Sequence, residues 1–242
     1  VIHDSDAVPG LVNRLSAIFA DKIFIAWKNA EKYFPKNKTE VVGNPIRPEL
    51  LNKTKSQHSN ILQNVGMFIL VLGGSQGAAR LNSFILNNLK ELLKFGNTLH
   101  QIGGKNTAVL HENVVPKGYR AAGFLKAEEL REVLSGAKLV ISRAGASAIF
   151  EIAAFGKPSI LIPLKESASD HQKKNAYEYA ATGAAVVVEE DDLNWPNIKN
   201  EIEKILKNKK HAKAMSEAAK NFAKPAATSI IAEKLLQILQ KE

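Results

Sequence analysis

The chain has 242 residues, with 33 Lys plus Arg against 24 Asp plus Glu, giving a formal charge of +9. Apolar residues make up 45% and charged residues 24%, a balance that supplies a core and excludes wholesale disorder. The absence of cysteine excludes a disulfide scaffold, a zinc-thiolate site and a cysteine nucleophile. No apolar run is long enough to span a bilayer as a helix.

The opening Val1-Ile2-His3-Asp4 is neither a signal peptide nor an initiator methionine, and reads as the interior of a longer chain. A helix is expected around 10–19, followed by an apolar run over 22–26. Gly43-Asn44-Pro45 and Pro48 restrict the backbone and mark a boundary near residue 45. Beyond it, strands are expected at 67–72, 98–102, 119–124, 138–142, 159–162 and 184–188. They are near-continuous apolar runs, as in a parallel sheet covered on both faces. Helices are expected between them at 78–93, 127–134, 146–155 and 170–181, with Gly156-Lys157-Pro158 closing the third. The alternation predicts an α/β, doubly wound parallel sheet. The tail predicts three helices, at 195–208, 210–223 and 226–241, the last two separated by Pro225. Residues 193–242 carry ten Lys and five Asp or Glu, or +5. That charge fits a solvated helical face, and also an anionic membrane surface; nucleic acid fits poorly, because no arginine stripe or recognised nucleic-acid motif accompanies it.

Three segments carry chemistry. The strand 67–72 runs into Gly73-Gly74-Ser75-Gln76-Gly77-Ala78 and then a helix. Glycines allow a sharp turn and close ligand approach, and a helix start favours an anion. No Gly-Lys-Ser/Thr follows, so this is not a P-loop, and a plain tight turn remains an equal reading. A second strand-to-helix junction runs from Ile141 through Arg143, Gly145, Ala146, Ser147, Ala148, Ile149 and Phe150 to Glu151. A carboxylate placed one to two turns inside such a helix suits ribose hydroxyls, although an ordinary acid stabilised by the helix dipole reads the same. The third segment, Pro163 to Asn175, contains Asp170 as a candidate helix cap. Gln172 and Asn175 share a face there, and their amides suit sugar hydroxyls. All three segments follow the carboxyl ends of predicted parallel strands, where open α/β sheets bind ligands. Together they describe a nucleotide-sugar diphosphate site. No His/Asp/Glu cluster has metal-ligand spacing, so neither a metal nor a cofactor is expected.

These residues resemble the MurG family, the bacterial UDP-N-acetylglucosamine transferases that make lipid II. His3-Asp4-Ser5-Asp6 through Pro9-Gly10-Leu11-Val12-Asn13 is similar to one family segment, and Val42-Gly43-Asn44-Pro45-Ile46-Arg47 to another. Gly73 to Ala78, Arg143 to Glu151 and Gln172-x-x-Asn175 supply the rest, so five motifs stand in the family's order. The resemblance implies a glycosyltransferase-B architecture. Residues 1–44 would be the end of an amino-terminal acceptor domain, 45–224 the donor domain, and 225–242 a tail helix crossing back. It implies that Arg47 and the backbone at Leu125 contact uridine, and that Ser75 and Gln76 serve the diphosphate. Ala146, Ser147, Ala148, Ile149 and Phe150 would present the helix start, and Glu151 would hold ribose. Gln172 with Asn175 would bind the GlcNAc hydroxyls. Asp6 stands where many members carry Asn, and the exchange removes a donor.

The implied partners are the donor UDP-GlcNAc, the acceptor undecaprenyl-pyrophosphoryl-MurNAc-pentapeptide and the membrane surface. The implied location is peripheral, at the cytoplasmic face of the bacterial membrane. The family's amino-terminal glycine loops are absent, so the catalytic base is expected outside this chain, which would be inactive alone. The donor motifs fit two other readings: a UDP-sugar transferase with a different lipid acceptor, and a UDP-sugar-binding subunit that needs a separate acceptor partner.

Overall fold

A computed structural model describes residues 1–52, 66–73, 78–104, 116–167 and 170–240. It contains two parallel sheets. The smaller one is built by β1 (Ile2–Asp4), β2 (Ile23–Ile25) and β3 (Thr39–Val41), in that order. The expected run over 22–26 is β2, whereas β1 and β3 were not anticipated. Each has three residues, too few to display a period. The predicted helix over 10–19 is confined to α1 (Leu11–Ser16), in which no residue is buried. The short α2 (Pro48–Leu51) starts on a proline at its first turn, where no amide is needed.

The larger sheet carries all six expected strands, within one or two residues of the predicted bounds. They are β4 (Phe68–Leu72), β5 (Asn97–Gln101), β6 (Tyr119–Ala122), β7 (Leu139–Ser142), β8 (Ser159–Leu161) and β9 (Ala185–Val187). Their spatial order is β6-β5-β4-β7-β8-β9, all parallel. The chain starts at the centre, winds outward one way and then returns to wind the other way. The switch point therefore lies between β4 and β7, where the helices that follow the two strands diverge and leave a crevice.

The single helix expected over 78–93 is two, α3 (Ala79–Asn87) and α4 (Leu89–Leu92). Asn88 divides them, and its side-chain amide donates back to the Phe84 carbonyl at 2.8 Å. The other helices follow expectation: α5 (Ala127–Gly136), α6 (Ala146–Ala154), α7 (His171–Ala180), α8 (Trp195–Lys207), α9 (Lys209–Phe222) and α10 (Ala227–Leu239). Helix α6 stops at Gly156, which takes φ +59°. The Gly156 N–H donates to Ala153 O at 2.8 Å and the Lys157 N–H to Ile152 O at 3.3 Å, the paired bonds of a Schellman stop.

Both faces of the large sheet are covered, which is why its strands read as unbroken apolar runs. Ile69, Val71, Ile141 and Ile160 face α3 and α8. Leu70, Leu72, Val140 and Leu161 belong to a second cluster with α5, α6 and α7. That cluster also takes in the small sheet through Ile23, Ile25 and Trp27. Trp27 is 1% exposed. Its ring lies 5.3 Å from Phe150 and 5.2 Å from Phe222, and its indole N–H donates to Ser5 O at 2.8 Å. This aromatic contact binds residues 1–44 to the large sheet and orients the loop that follows β1.

Candidate functional site

A cleft of about 1210 Å³ opens over the carboxyl ends of β4 and β7. Its lining joins Asp6 and Arg47 from the first part of the chain to Gly73, Leu125, the start of α6, Glu151 and Gln172. Three segments that sequence reasoning treated separately thus meet in one crevice.

The start of α6 forms the back of the cleft. Gly145 occupies the cap position with no side-chain hydrogen bond, and the first turn contains no acid. The amides of Ala146, Ser147 and Ala148 therefore keep their donor character and the positive end of the helix dipole. Ile149 and Phe150 do not join them. The Ile149 amide is spent on Gly145 O at 3.1 Å, and both side chains are fully buried in the core. The free amides of the helix start are thus those of its first three residues, with Ile149 and Phe150 packed beneath them.

Glu151 sits one turn further in, and its Oε1 accepts from Arg47 Nε at 2.9 Å. The Glu151 side chain is 13% exposed and that of Arg47 39%. Burial pushes the Glu151 carboxyl above its ordinary value, and the Arg47 guanidinium opposes that shift. Arg47 reaches it from the segment between the two sheets, just ahead of α2. Asn44, from the same segment, donates to Ser147 Oγ at 3.4 Å.

At β4, the backbone at Gly73 is tightly enclosed. A Cβ there would lie 3.0 Å from Gln101 O and 3.1 Å from Asn82 Oδ1. Behind it runs a buried polar chain. His100 Nδ1 is 3.0 Å from the Tyr119 hydroxyl and Nε2 is 3.1 Å from Asn82 Oδ1, while Asn82 Nδ2 donates to Ile102 O at 2.8 Å. Because the Asn82 amide donates to Ile102, its oxygen accepts from a protonated Nε2 of a neutral imidazole. Burial pulls the His100 pKa down to about 4 and pushes that of Tyr119 up to about 12. Ser75 and Gln76 lie outside the described residues.

At the other end of the cleft, Gln172 Oε1 accepts from the Leu164 amide at 3.1 Å, fixing the loop after β8. Asp170 occupies the cap position of α7 in the left-handed conformation, φ 55°, but its side chain makes no cap bond, unlike the expectation. Asn175 turns inward. It is 0% exposed. Its Oδ1 accepts from the Ala7 amide at 2.7 Å, and its Nδ2 donates to Asp6 Oδ1 at 2.8 Å and to Ala144 O at 3.4 Å. In this structure the Asn175 amide holds Asp6 at the cleft. Asp4 assists, accepting from the Asp6 amide at 3.0 Å and from Asn13 Nδ2 at 2.8 Å.

Sequence reasoning missed a charged clamp on the cleft wall. Buried Glu190 pairs with Arg143 and, at 3.5 Å, with Arg80. Arg80 Nη2 also donates to Glu190 O at 2.7 Å, and Arg143 Nη1 to Ile162 O at 3.1 Å. The available signal was Arg143 inside the quoted motif and Arg80 in the first turn after the glycine loop. Their partner lies in an acidic run that looked like surface. Among the described residues, no three His, Asp or Glu side chains gather as a metal site. No described helix is long and apolar enough to cross a membrane.

The glycosyltransferase family 28 C-terminal domain matches residues 68–230. A UDP-N-acetylglucosamine--N-acetylmuramyl-(pentapeptide) pyrophosphoryl-undecaprenol N-acetylglucosamine transferase of Citrifermentans bemidjiense is 37% identical over 91% of the chain and 61% of its own length. The Geobacter sulfurreducens protein of the same name is 32% identical over the whole chain and 67% of its own length. The crystal structure of Acinetobacter baumannii MurG superposes with a TM-score of 0.72, at 28% identity, over 100% of this chain and 67% of that one. The chain thus spans about three-fifths to two-thirds of these proteins.

Proposed function

The chain belongs to the MurG family and carries the glycosyltransferase family 28 C-terminal domain; on that premise we propose that it binds UDP-GlcNAc and forms the donor half of an inverting transferase that converts lipid I to lipid II. The observation that carries this reading is the pairing of Arg47 with Glu151 beside the uncapped start of α6, at the switch point of the sheet. In this reading Arg47 and the Leu125 backbone meet the uridine, and Glu151 accepts from the ribose hydroxyls. Ser75 and Gln76 join the amides of Ala146, Ser147 and Ala148 at the diphosphate. Gln172 addresses the sugar, while Asn175 positions the Asp6 loop.

The chemistry is displacement at the anomeric carbon by the C4 hydroxyl of the acceptor's muramyl sugar. UDP leaves as negative charge grows on its phosphate, and preoriented amides at a helix start stabilise that charge without reorganising. Arg80 and Arg143, held by Glu190, add positive potential along the same wall. The base that takes the acceptor proton is assigned to the part of the relatives that this chain does not span.

We assign residues 1–44 to the end of the acceptor domain, 45–224 to the donor domain and 225–242 to the tail. The separate small sheet supports the first division. A tail contact to the first segment supports the last: Lys234 pairs with Glu40 at 3.3 Å, while Thr228 Oγ1 donates to Ile46 O, just past the boundary, at 3.3 Å. We assign the reaction to the membrane surface, on its cytoplasmic face, because the acceptor of this reading is lipid-linked. Calorimetry with UDP-GlcNAc tests the reading. Binding is expected, and Glu151→Ala should weaken it by about 1–3 kcal/mol, the cost of losing a charge-assisted bond in a buried site. Absence of binding, or an unchanged affinity in the variant, refutes it.

A further inference from the structure

A second groove, of about 700 Å³, adjoins the donor cleft and shares Leu164, Lys165 and Glu190 with it. Its floor is the outer face of α7, and its rim is the loop after β1 together with the turn at 28–33. Nothing in the donor reading uses it. Four lysines and five carboxylates line it. One carboxylate, Glu190, is committed to Arg143 and Arg80, which leaves four charges of each sign. Several of the remaining polar groups are held in exposed, exchangeable pairs. Lys173 Nζ lies 2.8 Å from Glu189, Tyr177 donates to Glu189 at 2.7 Å, and Lys165 pairs with Asp191 at 2.8 Å. Such exposed pairs are screened by solvent and hold weakly, so a ligand displaces them at small cost. Asn29 donates to Glu178 across the groove, and Ala7, Val8 and Pro163 add apolar wall.

We propose that this groove binds the peptide stem of the acceptor, an inference that rests on the function proposed above. A balanced lining disfavours a diphosphate, which would call for net positive charge. It suits a polyamide bearing its own carboxylates and amines, with small side chains against Ala7 and Val8. Location agrees with chemistry. The peptide of a muramyl sugar hangs from C3, the carbon beside the accepting C4 hydroxyl. It must therefore leave the reaction centre at once, next to Gln172 and the Leu164 amide that Gln172 fixes. Extended, five residues reach at most about 17 Å, comparable to the roughly 15 Å of the ten-residue α7 that floors the groove.

The test titrates N-acetylmuramyl-pentapeptide, without lipid or diphosphate, into the chain saturated with UDP, beside N-acetylmuramic acid alone. The glycopeptide is expected to bind at least tenfold more tightly than the bare sugar. Lys173→Glu and Glu178→Lys should each weaken the glycopeptide severalfold or more and leave UDP affinity unchanged, since neither residue lines the donor cleft. Equal binding of glycopeptide and sugar, indifference to both charge reversals, or no glycopeptide binding at millimolar concentration overturns the inference while UDP binding stands. Failure of UDP itself to bind refutes the donor reading and this inference with it.

Discussion

Asn175 joins the two parts of the chain through one amide, so its removal isolates that connection. Asn175→Ala deprives the buried Ala7 amide of its acceptor at 2.7 Å and the Asp6 carboxylate of its donor at 2.8 Å. An orphaned buried amide costs about 1–3 kcal/mol, and the bond to a partly exposed carboxylate adds about 1 kcal/mol. The expected loss is therefore about 2–4 kcal/mol. At a urea slope of about 2–3 kcal/mol/M for a chain of this size, the unfolding midpoint should fall by roughly 0.7–2 M. Asn175→Asp is a sharper perturbation, because it places a second carboxylate against Asp6 and keeps the volume. Its loss should exceed that of the alanine variant at pH 7 and shrink when Asp6→Asn restores a donor. A double-mutant cycle measures that coupling, expected at 1 kcal/mol or more. If Asn175→Ala shifts the midpoint by less than about 0.3 M, or the cycle closes without coupling, the reasoning about this amide fails.

Three further outcomes are expected. Trp27→Ala removes the ring between Phe150 and Phe222 and should cost about 3–5 kcal/mol, read by urea unfolding. An unchanged midpoint would show that the small sheet does not depend on that contact. Gly73→Ala drives a methyl group to 3.0 Å from Gln101 O and should weaken UDP-GlcNAc binding, measured by calorimetry. An affinity equal to wild type would remove β4's end from the site. His100 has a folded pKa of about 4, below the ordinary 6.5. Its contribution is complete above pH 6.5 and is lost as pH falls toward 4, where only the unfolded chain takes up the proton. That amounts to roughly 3 kcal/mol. His100→Gln should flatten this acid limb in urea midpoints taken from pH 7 to pH 4; a limb of equal slope would count against a buried neutral imidazole.

The six strands of the large sheet and the helix stops were legible in the sequence because they are local properties. A strand buried on both faces is an apolar run wherever it appears, and Gly156 takes a positive φ that other residues avoid. The site motifs were legible for the same reason: glycine-rich junctions and a carboxylate in the following helix stand next to each other in the chain. What only the tertiary structure decided is which groups face one another. The Ala7 amide meets Asn175 across 168 residues, and Arg47 meets Glu151 across 104. No spacing rule reports such pairs, so an amide that looked suited to a sugar is spent inside the protein. The three-residue strands β1 and β3 also escape any periodic test, since neighbours distant in sequence hold them in register. Glu190 reads as one acid in a surface run, yet burial beside two arginines makes it the clamp of the cleft wall. Residue type specifies what a side chain can do, and the packing of distant segments decides whether it faces ligand, core or another part of the chain.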